Sequence, residues 1–193
     1  MIKMPFAVWI TGLPGSGKSA IAKEMIKMLN KDNIKIKYLR LDEIRKKFVK
    51  KPRYTAKERD FIYKKFVDLG LRYIEKNINV IFDATAHRIQ YRNYARKKIK
   101  NFLEAYIKCP LKICIERESR RKQSLVMADL YKKALERKNK GISHKGLGKV
   151  IGVDIPYEES KDAEVVINSD KISQKKAASI IFKELLNFSV FPT

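Results

Sequence analysis

Short apolar runs alternate along the chain with segments in which apolar residues recur every three or four positions. Residues 6–10 and 80–82 are continuous apolar runs, which are typical of parallel strands buried on both faces. Helical spacing appears at 19–29 and again from Thr55, where Glu58 completes a capping box. The alternation of the two patterns predicts an α/β fold, with a mainly parallel five-stranded sheet and helices on both faces.

The same pattern sets the bounds of the individual elements. Strands are predicted at residues 6–10, 35–41, 80–82, 102–107 and 163–167. Helices are predicted at residues 19–29, 55–74, 88–99, 110–118, 130–138 and 173–186. Ligands of such folds bind beyond the carboxyl ends of the strands, so we expect the loops there to carry the chemistry.

The loop after the first strand matches the phosphate-binding pattern G-x-x-x-x-G-K-[S/T] in a strand–loop–helix context. Glycines let backbone N–H groups curve around a phosphate, and the helix N-terminus adds positive potential. We expect Lys18 to reach the β- and γ-phosphates of ATP and Ser19 to supply a hydroxyl ligand to Mg²⁺. The pattern predicts a P-loop NTPase three-layer sandwich. The predicted nucleotide-binding residues here are Gly12, Leu13, Pro14, Gly15, Ser16, Gly17, Lys18, Ser19 and Ala20.

The second strand ends in a charged stretch at 40–45. A carboxylate at Asp42 would face the phosphate loop, where it could accept a hydroxyl proton or hold a Mg²⁺-bound water. Arg45 could hold an anion of the acceptor through a bidentate contact. The alternative is an ordinary helix N-terminus, with Asp42 as its cap and Arg45 in solvent.

The third strand ends at Asp83, which can therefore lie near the γ-phosphate and Mg²⁺. The alternative is a helix cap by Asp83 or Thr85. Arg88, Arg92 and Arg96 follow at intervals of four and share one helix face. One of these arginines could bind an acceptor phosphate, and the outer two, Arg88 and Arg96, are expected to form a solvated face.

The charge of the chain is strongly positive. Lys and Arg number 44 against 21 Asp and Glu, a net charge of +23 over 193 residues. Such a field attracts phosphates, nucleotides and nucleic acid. The basic residues are spread along the whole chain, however, so a solvated surface without a partner is an equally simple explanation. The length predicts a single domain, at 1–193.

Several classes of protein are not expected. No apolar run approaches the roughly 20 residues of a membrane span, and no signal-peptide pattern precedes Pro5. Cys109 and Cys114 suit buried thiols better than a disulfide or a metal site, which favours the cytoplasm. His87 and His144 are too far apart in sequence to suggest a metal site.

Taken in order, these residues resemble the adenylylsulfate (APS) kinase family over nearly the whole chain. The two most specific elements are Leu-Tyr-Lys-Lys-Ala at 130–134 and Gly-x-Asp-x-Pro-Tyr-Glu at 152–158. The other matching residues are the phosphate loop, the Leu-Asp-x-Ile-Arg stretch at 41–45, Arg59, Ala95, Arg96 and residues 109–111.

The resemblance implies phosphoryl transfer from MgATP to the 3′-hydroxyl of adenylyl sulfate, which yields PAPS and ADP. It also implies a lid over the nucleotide at about 117–155, and often a homodimer. Few apolar anchors at 138–149 predict that this lid is mobile. The acceptor-binding residues carried over are Asp42, Arg45, Arg59, Thr85, Ala86, Arg88 and Lys149.

We therefore assign roles by position. Lys18 and the loop amides hold the β- and γ-phosphates, with Mg²⁺ on Ser19 and on Asp42 through water. Asp42 orients or deprotonates the acceptor hydroxyl, with Asp83 as a further catalytic candidate. Arg117 and Arg120, at the entrance of the lid, are expected to stack on the ATP adenine or to neutralise charge in the transition state.

The acceptor side departs from the family pattern. Arg40 stands where the family has the first Asp of Asp-Gly-Asp-Asn, and Val150 replaces a Phe that stacks on the acceptor adenine, a loss of about 1 kcal/mol or more. Residues 84–86 replace Ile-Ser-Pro, and 141–149 is an insertion. Another alcohol or an RNA hydroxyl is therefore an alternative acceptor. A non-enzymatic nucleotide switch or a nucleic-acid-binding module is a third class.

Overall fold

Residues 4–120 and 127–190, which the computed structural model describes, form five strands and seven helices in the order β1-α1-β2-α2-α3-β3-α4-β4-α5-α6-β5-α7. All strand pairs are parallel, and the sheet order is β2-β3-β1-β4-β5. The strands are β1 (Ala7–Thr11), β2 (Ile36–Arg40), β3 (Asn79–Asp83), β4 (Phe102–Lys108) and β5 (Val165–Asn168). The helices are α1 (Lys18–Lys31), α2 (Leu41–Phe48), α3 (Ala56–Ile74), α4 (Ile89–Lys98), α5 (Leu111–Ser119), α6 (Leu130–Lys140) and α7 (Gln174–Val190).

The central strand β1 decides how the layers form. All five of its residues are buried, and successive side chains point to opposite faces of the sheet. Val8 and Ile10 pack into a cluster that includes residues of α1 and α7. Trp9, on the other face, packs among residues of α3 and α4, within reach of Phe66 and Phe82. Helices therefore cover both faces, and the predicted α/β sandwich is confirmed.

The predicted elements are all present, with ends that differ by a few residues. Half of the predicted capping box is present, because the Thr55 side chain accepts a hydrogen bond from Glu58 N, whereas the Glu58 carboxylate accepts from the N–H groups of Arg53 and Tyr54. The helix α2 was raised only as an alternative, and its N-cap position is Arg40, so Asp42 lies in its first turn rather than capping it. The N-cap position of α4 is Arg88, so neither Asp83 nor Thr85 caps that helix.

A third apolar cluster lies apart from the sheet and joins the predicted lid to α5. Its buried residues are Cys109, Cys114, Tyr131, Ala134 and Val150. The two cysteines are free thiols, as expected. Residues 121–126 of the predicted lid lie outside the described residues, and the mobility of the lid stays a prediction.

Arg137 of α6 bonds to the backbone at the end of the insertion in the predicted lid. Arg137 donates to the carbonyls of Leu147 and Gly148 and pairs with Asp154 at 2.6 Å. Asp154 also accepts from Val150 N at 2.6 Å. These bonds, together with the apolar contacts of Leu147, Val150 and Val153, hold 147–154 against α6.

In the part of the chain that the structure describes, no helix is both long enough and apolar enough to cross a bilayer.

A buried ion pair joins helix α4 to strand β4. Arg92 of α4 and Glu104 of β4 are both fully buried, with 2.9 Å between Arg92 Nε and Glu104 Oε1. Arg92 also donates to the carbonyl oxygens of Ala86 and Glu158. The expected solvated face is wrong for Arg96, which pairs with Glu164 and lies 3.6 Å from Glu104. Arg92, between the two outer arginines, is buried in the protein and does not line the cavity.

We expect Arg92→Met to lower the free energy of unfolding by about 3–5 kcal/mol, because it leaves the Glu104 carboxylate buried without its partner. Chemical denaturation with urea measures this loss. Adding Glu104→Gln should recover part of it. Arg88→Met is the matched control, since Arg88 is a half-exposed arginine at the start of the same helix and its change should stay within about 1 kcal/mol. An equal loss in both single variants would contradict the assignment.

Candidate active site

The carboxyl ends of the strands open into a cavity of about 1190 Å³. The loop after β1, the start of α2 and the end of β3 meet there, because these strands are neighbours in the sheet. The cavity therefore brings together residues that the sequence predicted separately. The predicted residues that line it are Pro14, Gly15, Gly17, Lys18, Ser19, Ala20, Asp42, Arg45, Arg59, Asp83, Thr85, Arg117 and Lys149.

The phosphate loop is shaped by glycines in backbone conformations that other residues rarely adopt. Gly12 and Gly15 have φ of 141° and 81°. A Cβ at Gly12 would lie 2.4 Å from the carbonyl oxygen of Ile107, and one at Gly15 would lie 2.3 Å from that of Cys114. The loop is thus pressed against the end of β4 and against α5, with no space for a side chain.

Lys18 lies at the start of α1 with its ammonium turned toward the loop. Lys18 Nζ donates to the carbonyl of Leu13 at 2.8 Å. The neighbouring hydroxyl of Ser19 faces the same cavity. An ammonium, loop amides and a helix N-terminus at one place form a site that suits the phosphates of a nucleotide.

Arg117 fixes the loop to the edge strand of the sheet. Its guanidinium donates to the carbonyl of Ser169 at 2.8 Å, and the Ser169 hydroxyl donates to the carbonyl of Ser16 at 2.8 Å. Arg117 also lines the cavity, near Lys23 and Gln174. Its contacts are compatible with the predicted stacking on a nucleotide base, which stays a prediction.

Two carboxylates face the phosphate loop in different surroundings. Asp83 accepts a hydrogen bond from Tyr38 Oη at 2.6 Å and lies 4.0 Å from Arg40 Nε. Burial, followed by the negative charge of Asp83, raises the pKa of Asp42, although Arg45, Lys18 and Arg40 act in the opposite direction. The raised pKa makes Asp42 a better proton acceptor than an ordinary aspartate.

The far end of the cavity is built from two buried arginines around one aromatic ring. Arg45 pairs with Glu58 at 2.7 Å, and Arg59 donates to the carbonyls of Tyr54 and Lys149 at 3.1 and 2.7 Å. The two guanidinium carbons lie 4.8 and 5.8 Å from the centre of the Tyr54 ring. Arg45 Nε is buried and has no hydrogen-bond partner among the described residues, so this end is prepared for an anion.

The segment 146–151 covers this end of the cavity. A Cβ at Gly148 would lie 2.5 Å from Cβ of Tyr54, so the backbone there packs directly on the ring. Val150 is 3% exposed and belongs to the apolar cluster beside α5 as well as to the cavity wall. The aliphatic side chain at this position is small compared with the aromatic ring that the family resemblance leads one to expect.

Other predicted residues lie away from the cavity. Ala86 donates its N–H to Tyr63 Oη at 2.7 Å, and Arg88 lies 3.6 Å from Asp60. Arg120 is exposed at the end of α5. Gly12, Leu13 and Ser16 support the loop from behind without lining the cavity.

The structure adds residues that sequence reasoning did not select. Arg40, Lys46 and Lys50 line the cavity from α2 and its flanks, and Tyr54 forms part of its far wall. Tyr38 could have been found, because alternation along β2 places it on the same side as Arg40. The role of Tyr54 could not, because it depends on the packing of Gly148.

The donor set fits a magnesium ion and a nucleoside triphosphate. Three side chains of the cavity offer oxygen ligands, namely those of Ser19, Asp42 and Asp83. The negative charge of Asp83 disfavours ionisation of Asp42, a repulsion that a divalent cation bound to both carboxylates would relieve. In the described ranges, 4–120 and 127–190, no group of three or more His, Cys, Asp or Glu would hold a metal by itself. Magnesium would therefore take its other ligands from phosphate oxygens and water, which is its usual behaviour.

Comparison with known proteins adds independent information. The model of the adenylylsulphate kinase family matches residues 4–168. A probable adenylyl-sulfate kinase of Archaeoglobus fulgidus is 31% identical over 168 residues, which are 87% of this chain and 98% of the relative. A cytidine diphosphoramidate kinase of Campylobacter jejuni is 28% identical over 190 residues, 94% of this chain and 96% of the relative.

A solved structure gives the same architecture. The Mycobacterium tuberculosis APS kinase in complex with AMPPNP and APS superimposes with a TM-score of 0.77 at 23% identity. The match covers 95% of this chain and 98% of that chain. At this identity the likeness shows the fold, and it agrees with the parallel sheet described above.

The raised pKa of Asp42 predicts a stability effect. Folding favours the protonated carboxyl, so the fold is penalised above the folded-state pKa, and this penalty vanishes at pH values below the unfolded-state pKa. We expect Asp42→Asn to raise the melting temperature at pH 7, with a gain that shrinks as the pH falls through the titration range of Asp42. Thermal unfolding across pH measures it.

Glu43→Gln is the matched control, because Glu43 is the next residue of the same helix turn and is largely exposed. Its melting temperature should change little at any pH. A lower melting temperature of Asp42→Asn at pH 7 would mean that the neighbouring cations outweigh burial and the charge of Asp83.

Proposed function

Because this chain belongs to the adenylylsulphate kinase family, we propose that it transfers the γ-phosphoryl group of ATP to the 3′-hydroxyl of adenylyl sulfate, which yields PAPS and ADP. At the coarser level the chain is an ATP-dependent kinase that acts on a hydroxyl group. The observation that carries the proposal is the cavity in which Lys18 and Ser19 of the phosphate loop face Asp42 and Asp83.

The donor half of the reaction falls to the phosphate loop. The backbone N–H groups of the loop and the ammonium of Lys18 bind the β- and γ-phosphates, and Lys18 exchanges its contact with the Leu13 carbonyl for a phosphate oxygen. Arg117 holds the loop in place and contacts the nucleoside. Ser19 and Asp42 would hold Mg²⁺, with Asp83 nearby, and the bound ion neutralises phosphate charge.

The acceptor half falls to α2, α3 and the lid. Arg45 and Arg59 bind the anionic groups of the acceptor and leave its hydroxyl beside Asp42. Asp42 orients this hydroxyl and takes its proton as the new O–P bond forms, which the raised pKa of Asp42 favours. Most of the rate enhancement comes from positioning and charge, because phosphoryl transfer needs little covalent help.

A second candidate is the same transfer to a different hydroxyl acceptor. Arg40 and Val150 alter the acceptor side, and a relative of almost the same length is named for cytidine diphosphoramidate rather than adenylyl sulfate. A small alcohol or an RNA hydroxyl is a further alternative, the latter because of the net charge of +23.

We also propose that residues 1–193 form one kinase domain, that it works in the cytoplasm, and that it pairs as a homodimer. The two main apolar clusters lie on opposite faces of the same sheet, which supports a single domain. The free thiols of Cys109 and Cys114 are compatible with a reducing compartment.

Lys18→Ala is expected to abolish turnover, with a fall of more than about 10²–10³-fold, because it removes the charge that holds the β- and γ-phosphates. ADP formation measured with purified protein tests this, and circular dichroism checks that the fold is kept. Lys27→Ala is the matched control, an exposed lysine of the same helix paired with Glu24. Persistent ADP formation in the Lys18 variant would refute the phosphate-loop assignment.

The acceptor is tested by ADP release from MgATP with a panel that includes adenylyl sulfate, cytidine diphosphoramidate, sugars, amino acids and RNA. We expect saturable stimulation by adenylyl sulfate, and PAPS as the product by mass spectrometry. Saturation by cytidine diphosphoramidate instead would establish the second candidate. Stimulation by RNA that disappears at high salt would point to a nucleic-acid acceptor.

A further inference from the structure

Arg40 lines the cavity beside both of its carboxylates, Asp42 and Asp83. It is the last residue of β2 and the N-cap position of α2, and it lies beside Asp83 in the strand register. Its side chain lines the same cavity as Lys18, Ser19 and Asp42. A permanent positive charge thus lies where the phosphate loop faces the carboxylates.

The present partners of Arg40 hold it weakly. Its one side-chain hydrogen bond within the described chain goes from Nη1 to Glu43 Oε1 at 2.9 Å, and the Glu43 side chain is 47% exposed. The distance from Arg40 Nε to Asp83 Oδ2 is 4.0 Å, at the limit of an ion pair. The pair with Glu43 contributes little because its carboxylate is half exposed, and a guanidinium carries five N–H donors, so donors of Arg40 beyond the one bonded to Glu43 can bind a ligand.

The other arginines of the cavity are committed to fixed positions. Arg117 is bonded to the carbonyl of Ser169 behind the phosphate loop. Arg45 pairs with Glu58, and Arg59 donates to two backbone carbonyls at the far end. Arg120, the other predicted source of charge for the transition state, does not line the cavity.

We infer that Arg40 is a further catalytic residue, whose guanidinium leaves Glu43 and binds the γ-phosphoryl group while that group is transferred. In this step the acceptor oxygen forms a bond to the γ-phosphorus, the bond from that phosphorus to the β,γ-bridging oxygen breaks, and Asp42 takes the hydroxyl proton. Arg40 gains and loses no proton. It neutralises negative charge on the oxygens of the transferring group, which is the usual part of an arginine in this chemistry.

The inference rests on phosphoryl transfer from ATP and does not depend on the identity of the acceptor. The test compares Arg40→Met with Lys37→Met. Lys37 is a cation on the same strand that lies over the Tyr73 ring and does not line the cavity. Three quantities are measured for each: kcat with the best acceptor of the panel, the Kd of MgATP by calorimetry, and the Kd of MgADP with aluminium fluoride, which mimics the transferring group.

We expect Arg40→Met to lower kcat by about 10²–10³-fold and to weaken the aluminium fluoride complex by a similar factor, while the Kd of MgATP changes less than about threefold. Lys37→Met should match the wild type in all three. Arg40→Lys should restore part of kcat, because it keeps the charge but lacks the planar fork. Glu43→Gln should leave kcat unchanged, because it removes only the carboxylate that pairs with Arg40 before the ligand binds.

Two results would overturn the inference. One is an unchanged affinity of Arg40→Met for MgADP with aluminium fluoride, which would reduce Arg40 to a partner of Asp83. The other is a loss that resides entirely in the Kd of MgATP. If adenylyl sulfate fails as acceptor, the proposed function fails, but the aluminium fluoride measurement still decides the role of Arg40.

Discussion

The close approach of the phosphate loop to its neighbours is the constraint on which the rest of the site depends. The loop backbone at Gly12 touches the end of β4, and at Gly15 it touches α5, at distances that exclude any Cβ. This fixes α5 in place, and α5 carries the apolar cluster that holds Tyr131 and Val150 of the lid. The phosphate site and the cover of the cavity are thus connected through one helix.

The charged groups of the cavity destabilise the folded protein without ligand and favour the binding of an anionic ligand with its cation. Asp42 and Asp83 repel each other, and the buried guanidinium of Arg45 keeps one nitrogen without a partner among the described residues. Burial, together with the charge of Arg45, lowers the pKa of Arg59. A ligand that brings phosphates and a divalent cation would relieve each of these costs, which is the expected behaviour of a site whose local conflicts serve function.

Hydrophobic periodicity predicted the five strands and six of the seven helices of the described residues, because β1, β3 and β4 are short and buried and most helices carry a regular apolar stripe. Helix α2, which is mostly charged, was raised only as an alternative. The phosphate loop was predictable as well, since its glycines and Lys18 are dictated by local backbone geometry. The acceptor end of the cavity was less predictable. Arg45 and Arg59 were named, but Tyr54 and Arg40 acquire their places from contacts between segments far apart in sequence. The buried state of Arg92 was missed, because its partner Glu104 lies within an otherwise apolar strand.

The contacts of Arg92 connect the loops beside the cavity to the core of the protein. One side chain belongs at once to a buried charge pair and to the carbonyls of Ala86 and Glu158, next to the cavity wall. Loosening either loop would break a hydrogen bond of Arg92 and disturb the alignment of the pair, so the loops at the back of the cavity are coupled to the core through this one side chain. On heating, we therefore expect these loops to unfold together with the core rather than before it.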